Sequence, residues 1–411
     1  MVLQRKFLRE HCFKESENKM NHEFADRVKR LPPYLFAEIE KVMKEKKAQG
    51  IDLISLSIGD PDLPPPPVVV DALREEVVNL KNHNYSLSQG EPDFREAVAA
   101  WCKKRFHVDV SQDEVIALLG SKEGLANVAR AFVNTGDCVL VPDPSYPVYN
   151  NASTILNDGI PIQMPLLQEN DFKPDLAALN PEKVKMMFLN YPNNPTGATV
   201  DKKFLKQAVE FARENNIILC YDNAYSEISF DGYRARSILE IDGAMDVAVE
   251  FHSCSKTFNM TGDRIGFAVG NKQLINGLTK VKSQVDSGPP VYIQKVATKA
   301  LESYKSDKQP DFLKENNRIY TERRDVLVDR LCSMGFKCDK PKATFYVWLN
   351  CKSRSIEFTT KLLSAGVAVT PGIGFGEHGE NYVRFSLTQP KERIIEACKR
   401  IAALVACADT Q

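Results

Sequence analysis

Residues 201–225 read DKKFLKQAVEFARENNIILCYDNAY, a helix-period segment running into a short apolar strand that ends on an acid. Phe204, Ala208 and Phe211 recur at the spacing of one helix face, and Asp201 stands where an N-cap carboxylate accepts a free backbone N–H. Residues 217–221 are apolar throughout, as expected of a strand buried on both faces. Asp222 then falls at the carboxyl edge of that strand, where open α/β sheets bind their ligands. A carboxylate there either pairs with a protonated ring nitrogen or caps the following turn.

The same pattern repeats on either side. Apolar runs bounded by turn residues lie at 115–119, 138–141, 185–189, 247–251 and 265–269, and helical patterns separate them. One of these, 92–106, carries Phe94, Val98 and Trp101 on one face. The alternation predicts an α/β fold: a large domain whose mostly parallel sheet is sandwiched by helices. After about residue 295 long charged helices, 311–334 and 389–405, flank strands at 344–349 and 382–387, which predicts a smaller α+β domain. The expected division is a polar extension at 1–21, a large domain at 50–294, and a discontinuous small domain from 22–49 and 295–411. An amphipathic segment at 34–47 would pack on the small domain. A proline-rich crossing at 61–67 joins the N-terminal segment to the main sheet.

Composition bounds the function. A chain of 411 residues has room for two or three domains, and 43% hydrophobic residues suffice for a large core. Its 54 basic and 54 acidic residues leave no net field toward nucleic acid or an anionic membrane, and no run approaches the ~18 apolar residues of a membrane span. Neither partner is expected. Ten cysteines without a CxxC pair fit free thiols in a reducing compartment, and the first nineteen residues lack a secretory apolar core, so the expected location is cytoplasmic. Six scattered histidines with no HExxH or HxH predict no metal site.

Four segments carry chemistry. In 251–264, FHSCSKTFNMTGDR, Lys256 lies just past a buried strand, where desolvation would make its amine a usable nucleophile. Ser253, Ser255 and Arg264 would hold a phosphate beside it, although a solvated strand-end lysine has the same local sequence. Residues 190–197, NYPNNPTG, end a strand in turn residues and include Asn194. Residues 120–124, GSKEG, join a strand to a helix whose first N–H groups can bind phosphate oxygens. Arg384, in 382–386, offers a bidentate fork for a carboxylate or lies at a strand edge facing solvent.

In content and order these motifs resemble the class I, fold-type I pyridoxal-phosphate aminotransferases, over residues 22–405. The resemblance implies pyridoxal 5'-phosphate as cofactor, with Lys256 as the lysine that carries it and Asp222 as partner of its ring nitrogen. It implies Asn194 and Tyr225 at the ring hydroxyl, Tyr146 stacked on the ring, and Ser121, Lys122, Ser253, Ser255 and Arg264 at the phosphate. Tyr85, in 84–90, would reach the phosphate of a neighbouring subunit, making a homodimer with composite sites. Arg384, helped by the backbone of Gly59, would grip the α-carboxylate of amino-acid and 2-oxo-acid substrates.

Within the class, 31–39 (LPPYLFAEI), 57–64 (SIGDPDLP), 119–124 (LGSKEG) and 259–262 (NMTG) resemble LL-diaminopimelate aminotransferases. That likeness implies transfer of an amino group from LL-2,6-diaminopimelate to 2-oxoglutarate, giving tetrahydrodipicolinate and glutamate on a route to lysine. Lys122 would place a cation near the distal end of a long dicarboxylate, and Tyr34 would face the pocket from the partner subunit. Asp263 stands where relatives carry a bulky aromatic, and would either weaken anion binding at Arg264 or face solvent. Two other readings keep the fold: a general aspartate- or alanine-type aminotransferase, and a carbon–sulfur lyase or cyclase using the same cofactor. A ligand sensor attached to a DNA-binding domain is disfavoured, because the ~20 to 30 residues ahead of the fold are too few for that domain.

Overall fold

The computed structural model describes residues 22–32, 43–46 and 48–408. The expected extension at 1–21, Tyr34 and most of the segment 34–47 lie outside the described residues. The opening segment folds as its pattern requires. Asp201 caps a helix at Lys202–Glu214 by accepting from the Phe204 N–H at 2.9 Å. Leu205, Ala208, Val209 and Ala212 form its inner stripe with Phe204, while Phe211 is only partly buried.

The strands, numbered in chain order, are β1 (Ile54–Ser55), β2 (Val115–Leu118), β3 (Cys138–Asp143), β4 (Ile160–Pro165), β5 (Val184–Asn190), β6 (Ile218–Asp222), β7 (Ala248–Ser253), β8 (Gly266–Gly270), β9 (Tyr346–Asn350), β10 (Val367–Ala368), β11 (Thr370–Pro371) and β12 (Tyr382–Ser386). Seven of them form one sheet in the order β2-β8-β7-β6-β5-β3-β4. From β4 through β7 neighbours run parallel, and β8 is antiparallel to both β7 and β2. β4 has no counterpart among the expected runs. It is an edge strand carrying Pro161 and Pro165, with Ile160 and Ile162 exposed, so it lacks the continuous apolar signature of a buried strand.

Alternate strand residues feed opposite faces of the sheet. Leu219 and Tyr221 pack with Phe94, Trp101 and the helix Lys202–Glu214, whereas Cys220, Val249 and Phe251 pack with Leu125 and Val128. A separate core gathers around β9 and β12, which form an antiparallel sheet with β11. Ile54 and Leu56 join this second core, because β1 pairs with β10. The helix Val291–Glu302 contributes Ile293, Val296 and Ala297 to the first. We retain two domains as a proposal, with these packing partners marking how each segment divides.

A buried ion pair ties the sheet to the second core. Glu227, two residues beyond Tyr225, is fully buried and accepts from Arg105 Nε at 2.9 Å, the Tyr304 hydroxyl at 2.7 Å and Gln309 Nε2 at 3.0 Å. Asn317 donates to the Glu227 carbonyl at 3.0 Å. Removing one member of a buried pair strands the other in a low-dielectric interior. Arg105→Ala should therefore lower unfolding free energy by about 3–5 kcal/mol in a denaturant titration. A loss below about 1 kcal/mol would show that Glu227 is held by its neutral donors alone.

Candidate active site

At the carboxyl edge of the large sheet a cavity of about 510 Å³ opens toward the second core. Register brings its floor together: Asn190 of β5 lies opposite Asp222 of β6, and Asp222 opposite Phe251 of β7. Asn190 Nδ2 donates to the Asp222 carbonyl at 2.7 Å, and Asn190 Oδ1 accepts from the Asn194 N–H at 2.8 Å. One side chain thus locks the 190–197 turn to the end of β6.

Lys256 sits in the short helical turn Cys254–Thr257 that closes β7, and its Nζ donates to the Gly59 carbonyl at 2.8 Å. Burial pulls its amine down to about 8, a shift that Asp60 opposes and that Arg384 and Arg264 reinforce. Asp222 is also buried, and desolvation raises its carboxyl to about 6 against the pull of donors from Tyr149 and the Ala224 N–H. Tyr225, held by burial well above its ordinary value, shares a 3.2 Å hydrogen bond with the Tyr346 hydroxyl.

Arg384 of β12 reaches the same cavity fully buried, donating from Nη1 to Asn194 Oδ1 at 2.7 Å and from Nη2 to the Ser57 carbonyl at 2.8 Å. Its guanidinium lies against the Tyr346 and Phe375 rings, 4.1 and 4.7 Å from their centroids. The surface alternative raised by its strand-edge position does not hold.

The other end of the cavity is built for an anion. Gly120, at φ +80°, opens the helix Ser121–Phe132, so that helix presents its first N–H groups to the space lined by Ser121, Ser253, Ser255 and Arg264. A Cβ at Gly120 would press on the Arg264 guanidinium, which is itself anchored on the Thr261 and Leu119 carbonyls at 2.9 and 3.2 Å. Lys122 lines the cavity with its Nζ 5.8 Å from the centroid of Tyr146.

Twelve of the expected side chains or backbone positions therefore meet here: Gly59, Ser121, Lys122, Tyr146, Asn194, Asp222, Tyr225, Ser253, Ser255, Lys256, Arg264 and Arg384. Tyr85 does not line the cavity and is 92% exposed. Asp263 also stays off the wall, burial raises its carboxyl, and among the described residues no ion pair joins it to Arg264. Asp60, Asn190, Thr261, Gly262 and Tyr346 line the cavity without having been singled out from sequence. Asn190 and Asp60 lay inside quoted motifs and were within reach. Tyr346 was not, since only tertiary contacts reveal it: the Tyr225 hydroxyl, and the close approach of Gly59, where a Cβ would overlap the Tyr346 hydroxyl. No group of three potential metal ligands is found among the described residues.

Residues 51–401 match the model of aminotransferase class I and II. The chain belongs to that family. It is 48% identical over 384 residues to the LL-diaminopimelate aminotransferase of Desulforudis audaxviator, covering 92% of this chain and 96% of that one. Identity to the Moorella thermoacetica enzyme of the same name is 47%, over 92% and 97% of the two chains. Among solved structures, substrate-bound BacF from Bacillus subtilis superposes with a TM-score of 0.87 at 38% identity, over 93% of this chain and 98% of that one. Aspartate aminotransferase from Thermus thermophilus with maleate gives 0.87 at 29%, over 93% and 100%. The expected fold class and the expectation of an aminotransferase are both borne out.

The lowered amine has a measurable consequence. Only neutral Lys256 attacks an aldehyde, so capture of pyridoxal phosphate by cofactor-free protein should accelerate as pH rises through about 8. Asp60→Asn removes a charge that favours the ammonium and should move the midpoint lower. Borohydride trapping and peptide mapping should place the pyridoxyl group on Lys256; a midpoint near the ordinary lysine value of about 10.4 would contradict the burial argument.

Proposed function

We propose that this chain is an LL-diaminopimelate aminotransferase that uses pyridoxal 5'-phosphate and passes the amino group to 2-oxoglutarate, leaving tetrahydrodipicolinate and glutamate. The observation that carries the reading is one cavity lined by Lys256, a buried carboxylate, Asp222, and a buried guanidinium, Arg384, joined to 46–48% identity with curated enzymes of that name.

The cavity suits the cofactor. Ser121, Ser253, Ser255, Arg264 and the helix start at Ser121 match a phosphate; Asn194 and Tyr225 suit a ring hydroxyl; Asp222 suits a protonated ring nitrogen. When bound, the cofactor supplies an aldehyde carbon and an electron-withdrawing ring. The remaining work falls to the chain. Arg384 binds the substrate α-carboxylate through its fork and, held by Asn194 and the Ser57 carbonyl, fixes which bond at Cα faces Lys256. Lys256, neutral in a growing fraction above pH 8, removes the proton from Cα and returns it on the other side of the transfer. Tyr146, on the cavity wall, would cover one face of the ring and keep water from it.

Specificity requires a second polar anchor. We assign Lys122 to a distal carboxylate, with Tyr34 as the partner expected from the family likeness. A site arranged for a distal amine and carboxylate leaves its polar groups unpaired on shorter substrates. Comparison of kcat/KM for LL-diaminopimelate, meso-diaminopimelate, aspartate, alanine and lysine should favour the first, and Lys122→Ala should erase most of that preference. Arg384→Lys should reduce kcat/KM on every substrate, by about 2–5 kcal/mol in transition-state terms. Equal or better turnover of aspartate or alanine would assign the chain to general amino-group transfer instead.

The exposure of Tyr85, with Leu80, Val78 and Leu87 also open to solvent, supports a second copy of the chain against this face. The assembly would be a homodimer in which Tyr85 completes the partner's phosphate site. Mixed dimers of Lys256→Ala and Tyr85→Phe subunits would then hold one doubly altered and one intact site, recovering activity that Lys256→Ala dimers lack. Full activity in a sedimenting monomer would refute this.

A further inference from the structure

Tyr149 begins the turn Tyr149–Thr154 and carries no motif that marks it in the sequence. It is fully buried. Its ring stacks on Phe188 of β5, with centroids 5.1 Å apart and planes at 16°, and stands edge-on to Tyr146 at 6.0 Å and 87°. Its hydroxyl donates to Asp222 Oδ2 at 2.7 Å. Two aromatic contacts fix the ring, so the hydroxyl reaches the carboxylate without freedom to turn away.

We propose that Tyr149 is a positioning residue whose hydroxyl keeps Asp222 ionised and aimed into the cavity, making the carboxylate competent to hold a protonated ring nitrogen. This rests on the reading of Asp222 given under the proposed function and deepens it. A carboxylate taken out of water favours its neutral acid, and a neutral acid cannot pair with a ring cation. Charge-assisted donors counter that tendency. Besides Tyr149, the groups facing Asp222 are the Ala224 N–H and Tyr225 from the turn after β6, and His252 from β7, which bonds Glu250 Oε1 at 2.7 Å. Burial and the nearby Asp222 charge hold the Tyr149 phenol well above its ordinary value, so it stays a donor across the working pH range. Because the same ring abuts Tyr146, one side chain sets the contact at the ring nitrogen and supports the contact at the ring face.

The test is noncovalent binding of pyridoxamine 5'-phosphate to cofactor-free protein, followed by fluorescence from pH 5.5 to 9. Tyr149→Phe keeps the stacking and removes only the hydroxyl. It should raise the dissociation constant about tenfold at pH 7 and move the acid limb of the affinity profile about one unit upward. Asp222→Asn should weaken binding as well, and adding Tyr149→Phe to it should cost nothing further, since the hydroxyl acts only through the carboxylate. Should Tyr149→Phe be poorly folded by circular dichroism, 3-fluorotyrosine at 149, a stronger donor of nearly the same shape, should move the acid limb downward. If Asp222→Asn weakens binding while Tyr149→Phe leaves both affinity and pH profile unchanged, the role of Tyr149 is overturned and that of Asp222 stands. If Asp222→Asn leaves binding unchanged, the reading of Asp222 falls and takes this inference with it.

Discussion

The hydrogen-bond register of β5, β6 and β7 sets Asn190 level with Asp222 and Asp222 level with Phe251, three residues before the start of the turn that carries Lys256. Because side chains alternate faces along a strand, a slip of one residue would turn Asp222 into the sheet's flank and bring Tyr221 or Asn223 to the cavity in its place. The flanks enforce the register. Leu219 and Tyr221 on one side and Cys220 on the other are fully buried, so any slip exchanges two filled cores at once. Positions at the functional edge are therefore fixed by packing that lies entirely beneath it.

Burial does a second thing at that edge. It lowers the Lys256 amine toward neutrality and raises the Asp222 carboxyl toward neutrality, since both shifts express one preference for uncharged groups. The reaction as proposed uses the first shift and must resist the second. Local groups separate the two outcomes: Asp222 accepts from Tyr149 and from the Ala224 N–H, while Lys256 donates to a backbone carbonyl, that of Gly59. A carbonyl steadies an ammonium less than a carboxylate would, so the amine remains easy to deprotonate.

What the sequence made legible follows from range. The helix and strand of 201–222 were readable because Asp201, the apolar stripe and the apolar run are local signals. Lys256, Asp222 and Arg264 stood out because strand ends and the residues just beyond them are visible in a single segment. β1, β10 and β11 escaped, being two residues each and defined only by partners far along the chain. β4 escaped because an edge strand needs no continuous apolar run. Tyr149 and Tyr346 escaped for a related reason: a buried tyrosine in a core-like context says nothing of where its hydroxyl points until Asp222 or Tyr225 is placed beside it.

The segment 57–64 shows why the two cores act on one cavity. Arg384 and Thr370 donate to the Ser57 carbonyl and Thr388 to that of Ile58, all from the β9–β12 side. Lys256 donates to the Gly59 carbonyl and Asn259 to that of Pro64, both from the large-sheet side. Asp62 completes the joint through a bidentate pair with Arg323 at 2.7 and 2.9 Å. Two cations that belong to different parts of the fold thus rest on carbonyls only two residues apart. Carbonyl dipoles stabilise charge without cancelling it, so the guanidinium keeps its charge in a space of low dielectric, while the amine, lowered to about 8 by burial, still gives up its proton readily. A substrate carboxylate bound as proposed would gain from the guanidinium, and any displacement of 57–59 would alter that grip and the amine's basicity together.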